Sequence, residues 1–229
     1  KPEIADGEEA NTAGSVAAEK FQKASKVVGR KGSRTLADGT KIKGTYMIVP
    51  AESLTASHDA TNGYKKSEGF PVNEEGRTIN DRDYEHDKDA QDVTEQMSAK
   101  YDGQAVNQVP TVSDEGIVYD GNGRTMAGQL AAKKGTDKEY IEALKENAEA
   151  FGLTAEDVDK IEHPRVIFVP DERLPYDTET FARFNRNEKK SQSNTQEAIA
   201  NSKKLSAKDV GAIISEMESS GSLDSFFNN

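Results

Sequence analysis

The sequence predicts an α+β domain built on a small mixed sheet with flanking helices. Short apolar runs such as "RVIFVP" are interleaved with amphipathic segments such as "DKEYIEALKENAEAFG". Their order, strands, helix, strands, helix, strand and then helices, is neither a strict β-α-β alternation nor an all-helical pattern. With 34% hydrophobic and 31% charged residues among 229, the chain can build one core of ordinary domain size, though not over its whole length.

Taken in order, residues 1–32 read as a polar arm or linker, in which Ala17, Phe21, Ala24 and Val28 fall at helical spacing. A domain over 33–176 follows, and a helical extension over 177–229. "RTLADGTKIKGTYMIVP" predicts a hairpin turning at Asp38-Gly39, with Met47, Ile48 and Val49 buried. From Glu52 to Asn80, breakers such as Asn-Gly and Phe-Pro predict a long loop, a kind that is functional or poorly ordered. Ala90, Val93, Met97 and Tyr101 predict the apolar face of a helix, and "AVNQVPTVSDEGIVYD" predicts two strands around an Asp-Glu-Gly turn. Ile141, Leu144, Ala148 and Phe151 mark the next helix, which ends at Gly152. Thr154 and Asp157 form a capping-box pattern before a short helix, and "RVIFVP" is a buried strand. The tail then reads as helices, from "DTETFARFNRNEKK" to a last one capped by Ser206.

A formal net charge of −11 argues against a sequence-independent grip on DNA by the whole surface, which needs many Lys and Arg contacts to phosphate. The absence of cysteine removes disulfides, thiolate zinc sites and any cysteine nucleophile. No apolar run approaches the ~18 residues of a bilayer span, so no membrane partner is expected.

The stretch that carries chemistry is "IVYDGNGRTMAGQLAAKKG", residues 117–135. A strand ends at Asp120, two glycines bracket Asn122, and Arg124 opens a helix-forming segment. Glycine takes φ > 0 at little cost and Asn tolerates it, so successive backbone N–H groups can converge into an anion-binding nest. A helix from Arg124 to Ala132 adds its N-terminal dipole, and Arg124 adds a forked donor suited to phosphate. The plainer reading is a tight turn followed by a solvated arginine.

"VYDGNGRTMAGQLA" resembles the signature of the ParB/sulfiredoxin-like superfamily, and more specifically the DdrB-like ParB domain of large phage and plasmid proteins, where the turn reads Gly-Asn-Gly-Arg. "FPVNEEGRTINDRDY", "VTEQMSAKYDGQAV", "HPRVIFVPDE" and "FARFNRNEKKSQSNTQEAIA" resemble its neighbouring segments, so the likeness spans roughly residues 40–203. The resemblance implies that Gly121, Asn122, Gly123, Arg124 and Thr125 form a nucleotide- or phosphate-binding turn. It implies supporting contacts from Arg82, Asn185 and Arg186, with Asn185 near an asparagine that helps hold magnesium. Asn122, Gly123 and Phe184 depart from partition proteins of the family, which usually have Glu, Arg and Glu there. Sulfiredoxin chemistry is excluded, because it needs a cysteine in this turn.

"NDRDYEHDKDAQD" gathers Asp81, Asp83, Glu85, His86, Asp87 and Asp89, residues a metal-dependent nuclease could use only if they converged. Adjacent acids in a row do not converge on a helix or a strand, which favours a solvated run. His58 and His163 have no partner at triad or ligand spacing and read as loop residues. Arg183, Arg186, Lys189 and Lys190 form a basic cluster that is either a solvated face or one wall of a phosphate cleft. Phe181 and Phe184 read as core.

The leading expectation is a module of a mobile-element protein that binds a nucleoside triphosphate with Mg²⁺ and accompanies DNA processing or protection, in the host cytoplasm or a phage particle. A nuclease-like enzyme on DNA and a non-catalytic interaction domain are the alternatives. Hydrolysis has no evident general base.

Overall fold

The computed structural model describes residues 9–36, 38–80 and 82–185, except the side chains of 9–15 and 185. Asp81, Arg186, Lys189, Lys190 and the later predicted helices lie outside the described residues.

A five-stranded mixed sheet organises the chain, its strands lying side by side in the order Val27–Thr35, Lys41–Pro50, Pro164–Pro170, Thr111–Val112, Val118–Asp120. Strands β1 (Val27–Thr35) and β2 (Lys41–Pro50) form the expected antiparallel hairpin, closed around Gly39 at φ +85°. β2 pairs antiparallel with β7 (Pro164–Pro170). β7 in turn runs parallel to β5 (Thr111–Val112), whose antiparallel partner is β6 (Val118–Asp120). The first five residues of the "RVIFVP" run are buried because β7 is central and covered on both faces. Val166 and Phe168 enter one core, Ile167 and Val169 the other.

On the Phe168 face lie α2 (Lys88–Ala99), α3 (Asn122–Lys134), α4 (Lys138–Glu146) and the short α5 (Ala155–Asp159). Ala127 and Ala131 bring α3 close to the sheet, while Tyr140 and Leu144 anchor α4. The capping box of α5 forms as its sequence predicts: Thr154 Oγ1 accepts from the Asp157 amide and Asp157 accepts from the Thr154 amide. α2 departs from expectation. Its inward face is Ala90, Thr94 and Ser98, and Val93 stands exposed. The polar members fit because their hydroxyls find partners: Thr94 donates to Ala90 O and Ser98 to Glu95 O.

The opposite face is covered by segments from both ends of the described chain. Helix α1 (Glu9–Lys23) buries Ala17 and Phe21, so this part of the arm is a packed element. Val28 is not on that helix; it is exposed in β1. Helix α6 (Thr178–Asn185) inserts Phe181 beside Ala17, Phe70, Ile117 and Tyr119. Residues 52–80 are ordered by short bridges, among them β3 (His58–Asp59) against β4 (Lys65–Lys66) and Thr55 against Ile117. Ser53, Thr55, Ser57 and His58 of this loop are all buried. Among the described residues, no helix is long and apolar enough to cross a membrane.

Candidate functional site

The two glycines of the Gly-Asn-Gly-Arg turn serve different physical ends. Gly121, at φ +87°, is the one left-handed residue of the four and forms the N-cap of α3. Gly123 lies in the first helical turn, where a Cβ would stand 2.8 Å from the Tyr84 hydroxyl. The expected run of left-handed residues through Asn122 is therefore replaced by an earlier helix start, at Asn122 rather than Arg124. The amides of Asn122, Gly123 and Arg124 head a thirteen-residue helix, and such leading N–H groups have no carbonyl partner within their own helix.

Asn122 is a structural tether rather than a free side chain. Its Oδ1 accepts from the Ser57 amide at 2.7 Å and its Nδ2 donates to Val118 O at 3.2 Å. Arg124 folds back over the helix start, half-buried, with Nη1 donating to Gln108 Oε1 at 3.3 Å and Nη2 3.9 Å from Asp120 Oδ1. Its guanidinium is thus held beside the turn and not directed into bulk water. Thr125 is buried. Its hydroxyl, without a hydrogen-bond partner among the described residues, lines a crevice of about 10 Å³ shared with Tyr101, Gln108, Pro110 and Arg124. That space holds about one water, so a ligand at this turn would rest on its outer surface.

Arg82 reaches the turn through Tyr84. Its guanidinium carbon lies 5.8 Å from the Tyr84 ring centroid, and the hydroxyl of that ring faces Gly123. Asn80 fixes this segment by donating to Arg82 O at 2.8 Å. His58, expected in a loop, is buried against Tyr84 with ring centroids 5.6 Å apart, and its Nδ1 lies 3.0 Å from Ser57 Oγ. These buried polar residues were not marked by spacing; the signal was a loop too long to be a mere connector. Asn185 closes α6, but its side chain, like all of Arg186, is outside the description.

Other candidates find structural work. Asp83 accepts from the Glu85 amide and lies 3.0 Å from His86, while Asp87 is the N-cap of α2. Among the described residues, no three His, Asp or Glu side chains come together as metal ligands. Arg183 Nε donates to Asp38 at 2.7 Å, pinning α6 to the hairpin tip. The Thr40 amide, followed by Arg183, holds the Asp38 carboxyl down at about 2. Phe181 is fully buried against Tyr119, and Phe184 stacks on Tyr119 at 5.5 Å.

His163 does have a partner. Its Nδ1 lies 3.0 Å from Oδ2 of Asp137, a carboxylate buried at the α3–α4 junction. Arg165 donates to the same oxygen at 2.9 Å and to Gly128 O of α3 at 2.6 Å. Its guanidinium is held between the rings of Tyr101 and Tyr140. Tyr101 in turn donates to Arg124 O at 3.3 Å. This network fixes α3 against the sheet and so fixes the direction in which its first turn points. Spacing could not reveal it, since Asp137 and His163 stand 26 residues apart.

A separate groove of about 750 Å³ lies along the far half of α3, lined by residues including Lys20, Glu52, Asp59, Gln129, Lys133 and His163. It does not include the turn. The turn differs from it in kind, since a helix start offers backbone N–H donors to an anion.

Comparison with known families gives a match to the ddrB-like ParB superfamily domain over residues 37–170, more than half of the chain. No curated protein and no solved structure matches. The matched segment runs from the hairpin turn to the end of β7 and contains the Gly121–Arg124 turn with the loop that packs against it. On that match, the chain belongs to the ddrB-like ParB domain family.

Proposed function

We propose that this domain binds a phosphate-bearing ligand, most simply a nucleoside triphosphate, on the outer surface of the α3 N-terminus. It does so as a module of a phage or plasmid protein that accompanies DNA, in the host cytoplasm or a phage particle. The observation that carries the reading is the juxtaposition of a left-handed Gly121, the leading amides of α3 and the half-buried Arg124 guanidinium. Helix N-termini favour anions through their N–H groups and dipole, and a guanidinium matches phosphate oxygens in pairs. Arg82 stands over the Tyr84 ring whose hydroxyl faces Gly123, which adds a further cation on that flank of the turn.

Mg²⁺ would supply charge neutralisation of the phosphates when bound. Asp120, beside the turn, would supply a carboxylate to such an ion, with phosphate oxygens and water as its other ligands. Asn122, Gly121 and Gly123 then act by geometry, and Arg124 acts by charge.

The test is thermal stability across a panel of nucleoside triphosphates, with and without Mg²⁺. At a hundredfold excess over Kd, binding stabilises by about 2.7 kcal/mol, a shift that a melt resolves. The expected result is a shift for at least one nucleotide in the wild type and none in Arg124→Ala. A flat panel with the wild type would leave a domain that keeps the fold without the ligand.

A further inference from the structure

Arg34 lies in β1, outside the segment that matches the family, yet it reaches the same site. From the edge strand its side chain crosses the Phe168 ring, with the guanidinium carbon 4.9 Å from the ring centroid. Its Nη1 donates to Thr111 Oγ1 at 2.8 Å. Thr111 is the register partner of Asp120, and Asp120 is in turn 3.9 Å from Arg124. Pro110, the residue before Thr111, packs on Gly121. Two guanidinium groups therefore approach the turn from opposite elements, Arg34 across the sheet and Arg124 from the helix.

Among the described residues, Arg34 has no carboxylate within salt-bridge distance; Thr111 and Tyr46 supply neutral oxygens. Burial pulls its guanidinium below the ordinary value, and the nearby charges of Asp120 and Arg124 act on it in opposite directions. Two guanidinium groups, one of them partly desolvated, thus share the nearby carboxylate of Asp120, which leaves net positive charge at this surface for an anion to complete. An arginine contributed by the edge hairpin gives that surface a second forked donor.

We propose that Arg34 is a second anion-binding residue of this site, and that with Arg124 it selects ligands carrying two or more phosphoryl groups over a single phosphate. The proposal rests on the phosphate-binding reading above. Arg124 and the helix amides take one phosphoryl group, and Arg34 takes its neighbour on the sheet side of Asp120.

Calorimetric titration of the full chain with inorganic phosphate, pyrophosphate and tripolyphosphate tests it. The wild type is expected to bind pyrophosphate about tenfold or more tighter than phosphate, as one added charge-assisted contact implies. Arg34→Gln should remove that preference and leave phosphate binding in place, whereas Arg124→Gln should weaken all three ligands. Arg34→Lys, which keeps charge but loses the fork, should retain part of the preference. Melting curves of each variant separate loss of fold from loss of contact. If Arg34→Gln folds and keeps the wild-type preference while Arg124→Gln loses binding, the Arg34 assignment is wrong and the phosphate reading stands. If the wild type binds none of the three, both fall together.

Discussion

Asp137→Ala is expected to lower the stability of the domain by about 3–5 kcal/mol, because it strands a buried guanidinium. The carboxylate is 2% exposed and Arg165 is 5% exposed, so water cannot replace the lost partner without opening the core. Arg165 would keep its bonds to Pro164 O and Gly128 O, but its charge would be uncompensated between two tyrosine rings. In a domain of this size the loss corresponds to a melting point lower by roughly 6–20 °C. Chemical denaturation measures it, and a variant within about 1 kcal/mol of the wild type would show the pair to be dispensable.

The same residue sets an acid limb. Burial pushes the Asp137 carboxyl up, but bonds from Arg165 and then His163 outweigh it and leave the group below its ordinary value. A folded pKa below the unfolded one makes a contribution that is present above about pH 3.9 and disappears as pH falls through the folded value. The stability difference between wild type and Asp137→Ala should therefore be present above about pH 4 and shrink as the pH falls below it.

Residues 37–170 alone are expected to show no cooperative unfolding transition. That piece lacks α1, β1 and α6, although it contains the whole family match. Phe21 is 3% exposed in the core around Val49 and Ile167, and Phe181 is 0% exposed against Tyr119. Losing a buried phenylalanine costs about 3–5 kcal/mol, against a net stability of about 5–15 kcal/mol for a typical domain. Removing β1 also bares the ladder edge of β2, an invitation to aggregation. Circular dichroism melts and amide dispersion decide the point. A sharp transition near that of the full chain would mean that these flanking elements are accessories.

What the sequence made legible was local. The hairpin at Gly39, the capping box at Thr154 and the apolar run of β7 each depend on a few neighbouring residues, and each formed as its pattern predicts. Strand order was not legible, since β5 and β6 are two and three residues long and the parallel β5–β7 pairing joins distant segments. The α2 face was misjudged because Val93 looks like core, whereas Thr94 and Ser98 pack inward with satisfied hydroxyls. In the site, the need for φ > 0 at Gly121 could be read from residue type. The reason for Gly123 could not, because it is the hydroxyl of Tyr84 arriving from another segment. Arg34 was invisible for the same reason, its partner Thr111 being 77 residues away.

An anion seated on the first amides of α3 beside Arg124 would perturb those amides before any others. Amide resonances of the ¹⁵N-labelled full chain, followed while a nucleoside triphosphate is added, test for this most directly. Saturable downfield shifts are expected at Asn122, Gly123 and Arg124, the largest in the spectrum, together with their loss in Arg124→Ala. Shifts confined to the groove near Gln129 and Lys133, with the turn unmoved at saturation, would contradict an anion seated there.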